Sequence, residues 1–220
     1  MTTLLVIAKQ PVPGRVKTRL TPPFTPAEAA ALAEAALADT LAVAASVPAA
    51  RHVLVLDGEP GPWLPAGFVV APQVAGGLDV RLAAAFEGCP GPAFLIGMDT
   101  PQITPALLGR ALEWETCDAW FGPAADGGFW GLGLASPDPG LLLGVPMSRP
   151  DTGAVQYERL RRAGLRTGLL PVLRDVDTAQ DARDVAALAA GTRFAALHDA
   201  LASAPAGSGR AAGAPSGATT

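Results

Sequence analysis

Only two cysteines, two histidines and 16% charged residues occur in this 220-residue chain. Cys89 and Cys117 lie far apart without metal-ligand spacing, which excludes a disulfide framework or a cysteine-based zinc site and leaves two free thiols. His52 falls inside a strand pattern and His198 inside the last helix, so neither is placed as a catalytic base. No apolar run approaches the roughly 20 residues of a membrane-spanning helix. The N-terminal apolar run, Thr3–Ala8, stops at Lys9, short of the roughly 7–15 residues of a signal-peptide core. The chain is therefore expected to stay in the cytoplasm and to engage no membrane. Sixteen Lys and Arg stand against 20 Asp and Glu, for a net charge of −4, which argues against a nucleic-acid surface. Internal repeats and a Gly-x-Ser-x-Gly elbow are missing, and Gly131-Leu-Gly133 lacks the third glycine of a dinucleotide fingerprint.

What is there alternates strand and helix. The length fits one domain, expected over residues 1–202, with a large core. Residues 203–220 are almost all Ala, Gly, Ser, Pro and Thr, a composition that predicts a disordered tail. Strands are expected at Thr3–Ala8, Arg51–Asp57, Phe68–Ala71, Ala93–Met98, Asp118–Gly122, Phe129–Leu134 and Thr167–Leu173. Helices are expected over Pro26–Ser46, Leu78–Glu87, Thr104–Glu115, Asp151–Arg162, Thr178–Leu188 and Thr192–Leu201. Thr25, Pro26 and Glu28 spell a capping box with proline at the first helical position. The strand runs near 5, 54 and 95 are almost continuously apolar, as in strands covered on both faces. The expected architecture is a three-layer α/β/α sandwich with a mostly parallel sheet. Such sheets bind ligands beyond the carboxyl ends of their strands.

Two chemical features fall at that edge. The loop Lys9-Gln-Pro-Val-Pro-Gly-Arg-Val-Lys17-Thr-Arg-Leu20 follows the first strand and concentrates Lys9, Arg15, Lys17 and Arg19. It is no P-loop, because Val16 stands where the glycine before the lysine is required. Prolines 11 and 13 also remove backbone donors, so side chains would carry phosphate binding: lysine as a point charge, arginine as a fork. Asp99, in Gly97-Met-Asp99-Thr-Pro101, ends the fourth strand and suits Mg²⁺, which takes one or two carboxylates and leaves its other positions to water and phosphate. Helix capping is the competing role for Asp99, weakened because Thr104-Pro105 already supplies a cap.

Other features have two readings each. Asp177 is either a second cation ligand or part of the capping segment Thr178–Asp181. Asp126-Gly127-Gly128 is either a hairpin turn or a place where substrate approaches the backbone. Thr152, Gly153 and Gln156 open a helix whose N-terminus either holds an anion or is capped from within by Ser148 or Thr152.

Five motifs occur in order: the basic loop, Gly97-x-Asp-x-Pro101, Pro123-Ala-x-Asp-Gly-Gly-Phe129, Met147-Ser-x-x-x-Thr-Gly153 and Leu170-Pro-x-Leu-x-Asp-Val-Asp-Thr178. Together they resemble bacterial glycosyltransferase-like proteins related to 2-phospholactate guanylyltransferases and, more distantly, to molybdenum-cofactor guanylyltransferases. The resemblance covers about residues 3–190 and implies the A-type glycosyltransferase fold. It implies a nucleotide or nucleotide-sugar donor, a small-molecule acceptor and Mg²⁺ or Mn²⁺. Lys17 falls at the phosphate-binding lysine of such proteins, Asp99 at the metal-binding aspartate and Asp177 where a second acidic ligand can occur. Lys9-Gln-Pro stands where the molybdenum-cofactor enzymes carry a Gly-Gly-x-Ser-x-Arg type of loop.

The expected catalytic residues are thus Lys17, Asp99 and Asp126. Lys9, Pro11, Gly14, Arg15, Lys17, Arg19 and Gly97 are expected to bind nucleotide phosphates. Asp126, Gly127, Gly128, Thr152, Gly153 and Gln156 are expected to bind substrate, and Asp99 and Asp177 to bind metal. The leading expectation is a metal-dependent transferase with a nucleotide-sugar donor. The alternatives are nucleotidyl transfer with release of pyrophosphate and a non-catalytic nucleotide-binding domain.

Overall fold

The computed structural model describes residues 2–204. Strands β1 (Thr3–Lys9), β2 (Arg51–Asp57), β3 (Phe68–Pro72), β4 (Ala93–Ile96), β5 (Ala119–Pro123), β6 (Phe129–Leu134) and β7 (Thr167–Leu169) form one sheet. Its order is β3-β2-β1-β4-β6-β5-β7. β6 pairs antiparallel with β4 and β5, and every other pairing is parallel. The helices are α1 (Pro26–Ser46), α2 (Leu78–Glu87), α3 (Pro105–Ala111), α4 (Thr152–Arg162), α5 (Ala179–Leu188) and α6 (Arg193–Ser203).

Strand alternation divides the core. Leu4, Val6, Leu54, Leu56, Phe94 and Ile96 pack on one face with Ala33, Leu37 and Leu41 of α1. Leu5, Val53, Val55 and Leu95 pack on the other with Leu82 and Phe86 of α2. Both faces are covered, which is why these strands read as unbroken apolar runs. A third cluster joins Ala29, Leu32 and Ala36 of α1 to Leu20 and Phe24 of the basic segment and to Val176, Val185 and Phe194. α1 is thus buried on two sides. By length and composition alone it could cross a membrane, contrary to the expectation of no such stretch, yet most of it is enclosed in this fold.

The predicted capping box at Thr25 and Glu28 forms, as does the one at Thr178 and Asp181. Thr104 caps α3 through the Leu107 N–H. α3 ends at Ala111 rather than Glu115: the Glu113 carbonyl accepts from the Trp120 indole, and Trp114 reaches Thr2. β7 ends at Leu169 because Pro171 cannot donate to a ladder. Ser203, expected in the tail, closes α6, and the expected tail from residue 205 onward lies outside the described residues. Both cysteines are free.

Asp39 joins the first helix to the last. It is 9% exposed and accepts hydrogen bonds from the Arg193 N–H (3.1 Å) and the Phe194 N–H (2.8 Å). Those donors have no partner within α6. Asp39→Ala leaves both orphaned. It should destabilise the protein by about 2–3 kcal/mol, read as a lower Tm and a lower urea midpoint.

Candidate active site

The parallel register sets the site. β1 pairs with β2 from Thr3↔Arg51 to Lys9↔Asp57 and with β4 from Thr3↔Ala93 to Val6↔Ile96. All three chains leave the sheet at one edge. Lys9 is exposed there, and its N–H contacts the Met98 sulfur at 3.3 Å.

Two apolar side chains pin the loop that follows. Val16 is 8% exposed and Leu20 is fully buried. Between them Lys17 takes the left-handed conformation, φ 47° and ψ 38°. A non-glycine residue there carries about 1–2 kcal/mol of strain. That backbone aims the Lys17 ammonium at Asp99, with Nζ 2.8 Å from Oδ2. The lysine side chain is 12% exposed. The other Asp99 oxygen, Oδ1, is buried with no hydrogen-bond partner.

A third segment closes the site. The Val176 N–H donates to the Asp99 carbonyl at 2.9 Å, and the Val176 side chain is buried against the Leu20 cluster. Its neighbours, Asp175 and Asp177, differ. Arg19 pairs with Asp177 at 2.6 Å, with both side chains well exposed. Asp177 is thus engaged by an arginine. Asp175 is the inward acid: its Oδ1 is buried without a partner. Burial pushes the Asp175 carboxyl up to about 7, and the charges of Asp99, Asp126 and Asp177 push the same way while Lys17 opposes them. Sequence reasoning passed over Asp175. No sequence signal separated it from Asp177, since both flank Val176 in an irregular segment.

The remaining expected residues divide. Lys9 and Arg15 are exposed and form no ion pair among the described residues. Pro11 and Gly14 lie in the same loop. Gly97 donates its N–H to Trp130 and has open space where a Cβ would stand, so a ligand can lie against it. Asp126 accepts the Gly128 N–H at 2.8 Å, a turn-forming role, while its charge reaches Asp175. Gly127 has φ 89°, and a Cβ there would strike the Pro150 carbonyl. A Cβ on Gly153 would strike the Gly128 carbonyl, and the Gly153 N–H already donates to Gly127. These glycines let the start of α4 dock against the β5–β6 turn; the close backbone contact expected with substrate is made by the chain itself. Thr152 bonds Pro146 and Arg149, and Gln156 is fully buried with its amide on Leu141. Neither residue caps α4: its cap residue Asp151 makes no side-chain hydrogen bond, and the Gly127 carbonyl of the β5–β6 turn takes the Gly153 N–H instead.

Among the described residues, no three His, Cys, Asp or Glu side chains gather into a self-sufficient metal cage. Asp99 and Asp175 instead present two unpartnered carboxylate oxygens in a site of mixed charge. That sparse oxygen set suits a hard divalent cation which completes its shell with phosphate and water.

Because the folded state holds the Asp175 proton up to about pH 7, this group favours folding at low pH. Its contribution is lost as pH rises from the ordinary carboxylate range through about 7. Asp175→Asn removes that slope. In chelator-treated buffer its Tm should gain on wild type between pH 5 and pH 8.

Similar proteins align over most of the chain. A phosphoenolpyruvate guanylyltransferase of Thermomonospora curvata is 35% identical over 212 residues, covering 90% of this chain and 89% of that protein. Another, from Streptomyces avermitilis, is 34% identical over 198 residues, covering 83% and 88%. A solved structure from Desulfovibrio desulfuricans G20, described as a nucleotide-diphospho-sugar transferase, superposes with a TM-score of 0.81 at 28% identity, covering 91% and 96%. Residues 28–149 match the family described as "Uncharacterized protein conserved in bacteria (DUF2064)". With more than half its length so matched, the chain belongs to that family, built on the fold of the nucleotide-diphospho-sugar transferases.

Proposed function

We propose that this transferase moves a nucleotidyl group, guanylyl by the analogy of its relatives, from a nucleoside triphosphate to a small phosphorylated acceptor. The observation that carries the reading is the meeting of Lys17, Asp99 and Asp175 at the edge shared by β1 and β4. The two relatives named for guanylyl transfer favour this reaction over the glycosyl transfer that leads on sequence alone.

An acceptor phosphate oxygen attacks the α-phosphorus. The bond from that phosphorus to the β-bridging oxygen breaks, and pyrophosphate leaves with the electron pair. Such transfer asks the protein for positioning and charge neutralisation rather than covalent work. Lys17 would move from Asp99 to the phosphates and stabilise the charge that builds there. Lys9 and Arg15, exposed at the same edge, would add donors to the triphosphate. Asp99 and Asp175 would hold Mg²⁺ or Mn²⁺, which when bound neutralises phosphate oxygens. Arg19 and Asp177 would brace the loop on the segment before α5. The protein would work in the cytoplasm, where its nucleotide donor is made.

The test is product analysis with GTP, phosphoenolpyruvate and Mg²⁺. Pyrophosphate release that depends on the acceptor supports the reading. Nucleoside diphosphate released from GDP-sugars, with no pyrophosphate from any triphosphate, overturns it. Lys17→Ala and Asp99→Asn should each lower turnover by roughly 10²–10³-fold. Unchanged turnover in either removes that residue from the mechanism.

A further inference from the structure

One of the two Asp99 oxygens a cation would share is already held by an ammonium. Lys17 Nζ sits 2.8 Å from Asp99 Oδ2 and is largely enclosed, at 12% exposure. This is no floating surface pair. The backbone of Lys17 is held left-handed between the buried anchors Val16 and Leu20, and the Val176 N–H fixes the Asp99 carbonyl. The surroundings demand positive charge. Asp175, Asp126 and Asp177 act on the same small region, and the free oxygens of Asp99 and Asp175 find no donor in the protein. Arg19 answers Asp177, and the Lys17 ammonium is the resident compensation for Asp99 and its neighbour Asp175.

Resting on the nucleotidyl-transfer reading, we infer that Lys17 and a divalent cation compete for Asp99, so that metal enters only with the nucleotide that draws Lys17 away. An ammonium on Oδ2 and a divalent cation on Oδ1 would stand within a few ångströms of each other and repel in this enclosed site. A triphosphate resolves the conflict by giving the ammonium a new anionic partner. Asp99 is then free to turn both oxygens to the cation. Linkage makes the effect reciprocal: nucleotide raises metal affinity by the factor that metal raises nucleotide affinity. Lys17 would be a positioning residue for the metal as well as a phosphate ligand. The chain would then resist loading by metal alone.

The probe is Mn²⁺, followed as loss of the free-ion electron paramagnetic resonance signal in nucleotide-free protein. Wild type should bind Mn²⁺ weakly, and 1 mM GTP should tighten binding at least about tenfold beyond the chelation measured with the same GTP in protein-free buffer, the size of an ordinary coupling. Lys17→Met should bind Mn²⁺ at least about tenfold more tightly than wild type without nucleotide, and GTP should add little. Lys17→Gln repeats the test with a polar side chain, and circular dichroism with thermal melts confirms that both variants fold. Asp99→Asn should abolish Mn²⁺ binding. If folded Lys17→Met and Lys17→Gln bind Mn²⁺ no better than wild type while Asp99→Asn abolishes binding, the competition is wrong and the metal site stands. If Asp99→Asn binds Mn²⁺ like wild type, the metal site falls, and the competition with it.

Discussion

The central constraint is that β1 has a parallel partner on each side. Its hydrogen bonds to β2 and β4 leave no freedom of direction, so three strands finish at the same edge. Everything chemical in the molecule is hung from that edge. The basic loop continues β1, the Asp99 turn continues β4, and the segment before α5 returns to bond the Asp99 carbonyl. Burial on both faces fixes the strands in register, because a slip of one residue would put Leu5 where Leu4 belongs and exchange the two cores. A rigid sheet thus holds an ammonium 2.8 Å from a carboxylate across a sequence gap that no local structure could bridge.

Much of this was legible beforehand. Apolar runs located the strands, and side-chain caps at Thr25, Thr104 and Thr178 located three helix starts, because capping is a local exchange between neighbours in sequence. The meeting of Lys17 with Asp99 followed from strand-end geometry alone. What escaped was decided by tertiary partners. The early end of α3 depends on a Trp120 indole that claims the Glu113 carbonyl. The roles of Gly127 and Gly153 depend on each other's backbone. Asp175 escaped for the same reason. Its neighbour Asp177 looks equivalent in sequence, and only the packing of Val176 and the reach of Arg19 separate the buried acid from the paired one.

The site also shows how concavity and chemistry part company. A hollow of about 420 Å³ lies between α1 and the loop holding Trp63, and a groove of about 200 Å³ lies between the β3 edge and α2; Lys17 and Asp99 line neither. What marks the functional edge is unspent polarity: left-handed strain at Lys17, two carboxylate oxygens without donors and an acid displaced to about 7. Local conflict of this sort is tolerated where a ligand will relieve it.

The third apolar cluster has a consequence for biosynthesis. α1 leaves the ribosome well before most of its cover: apart from Leu20 and Phe24, the side chains packed on its outer stripe of Ala29, Leu32 and Ala36 belong to residues 176–195. At roughly 5–20 residues per second, that stripe waits on the order of ten seconds or more for its cover. The nascent chain must keep an apolar helix out of trouble throughout that interval. α6, docked on Asp39, is what finally seals α1.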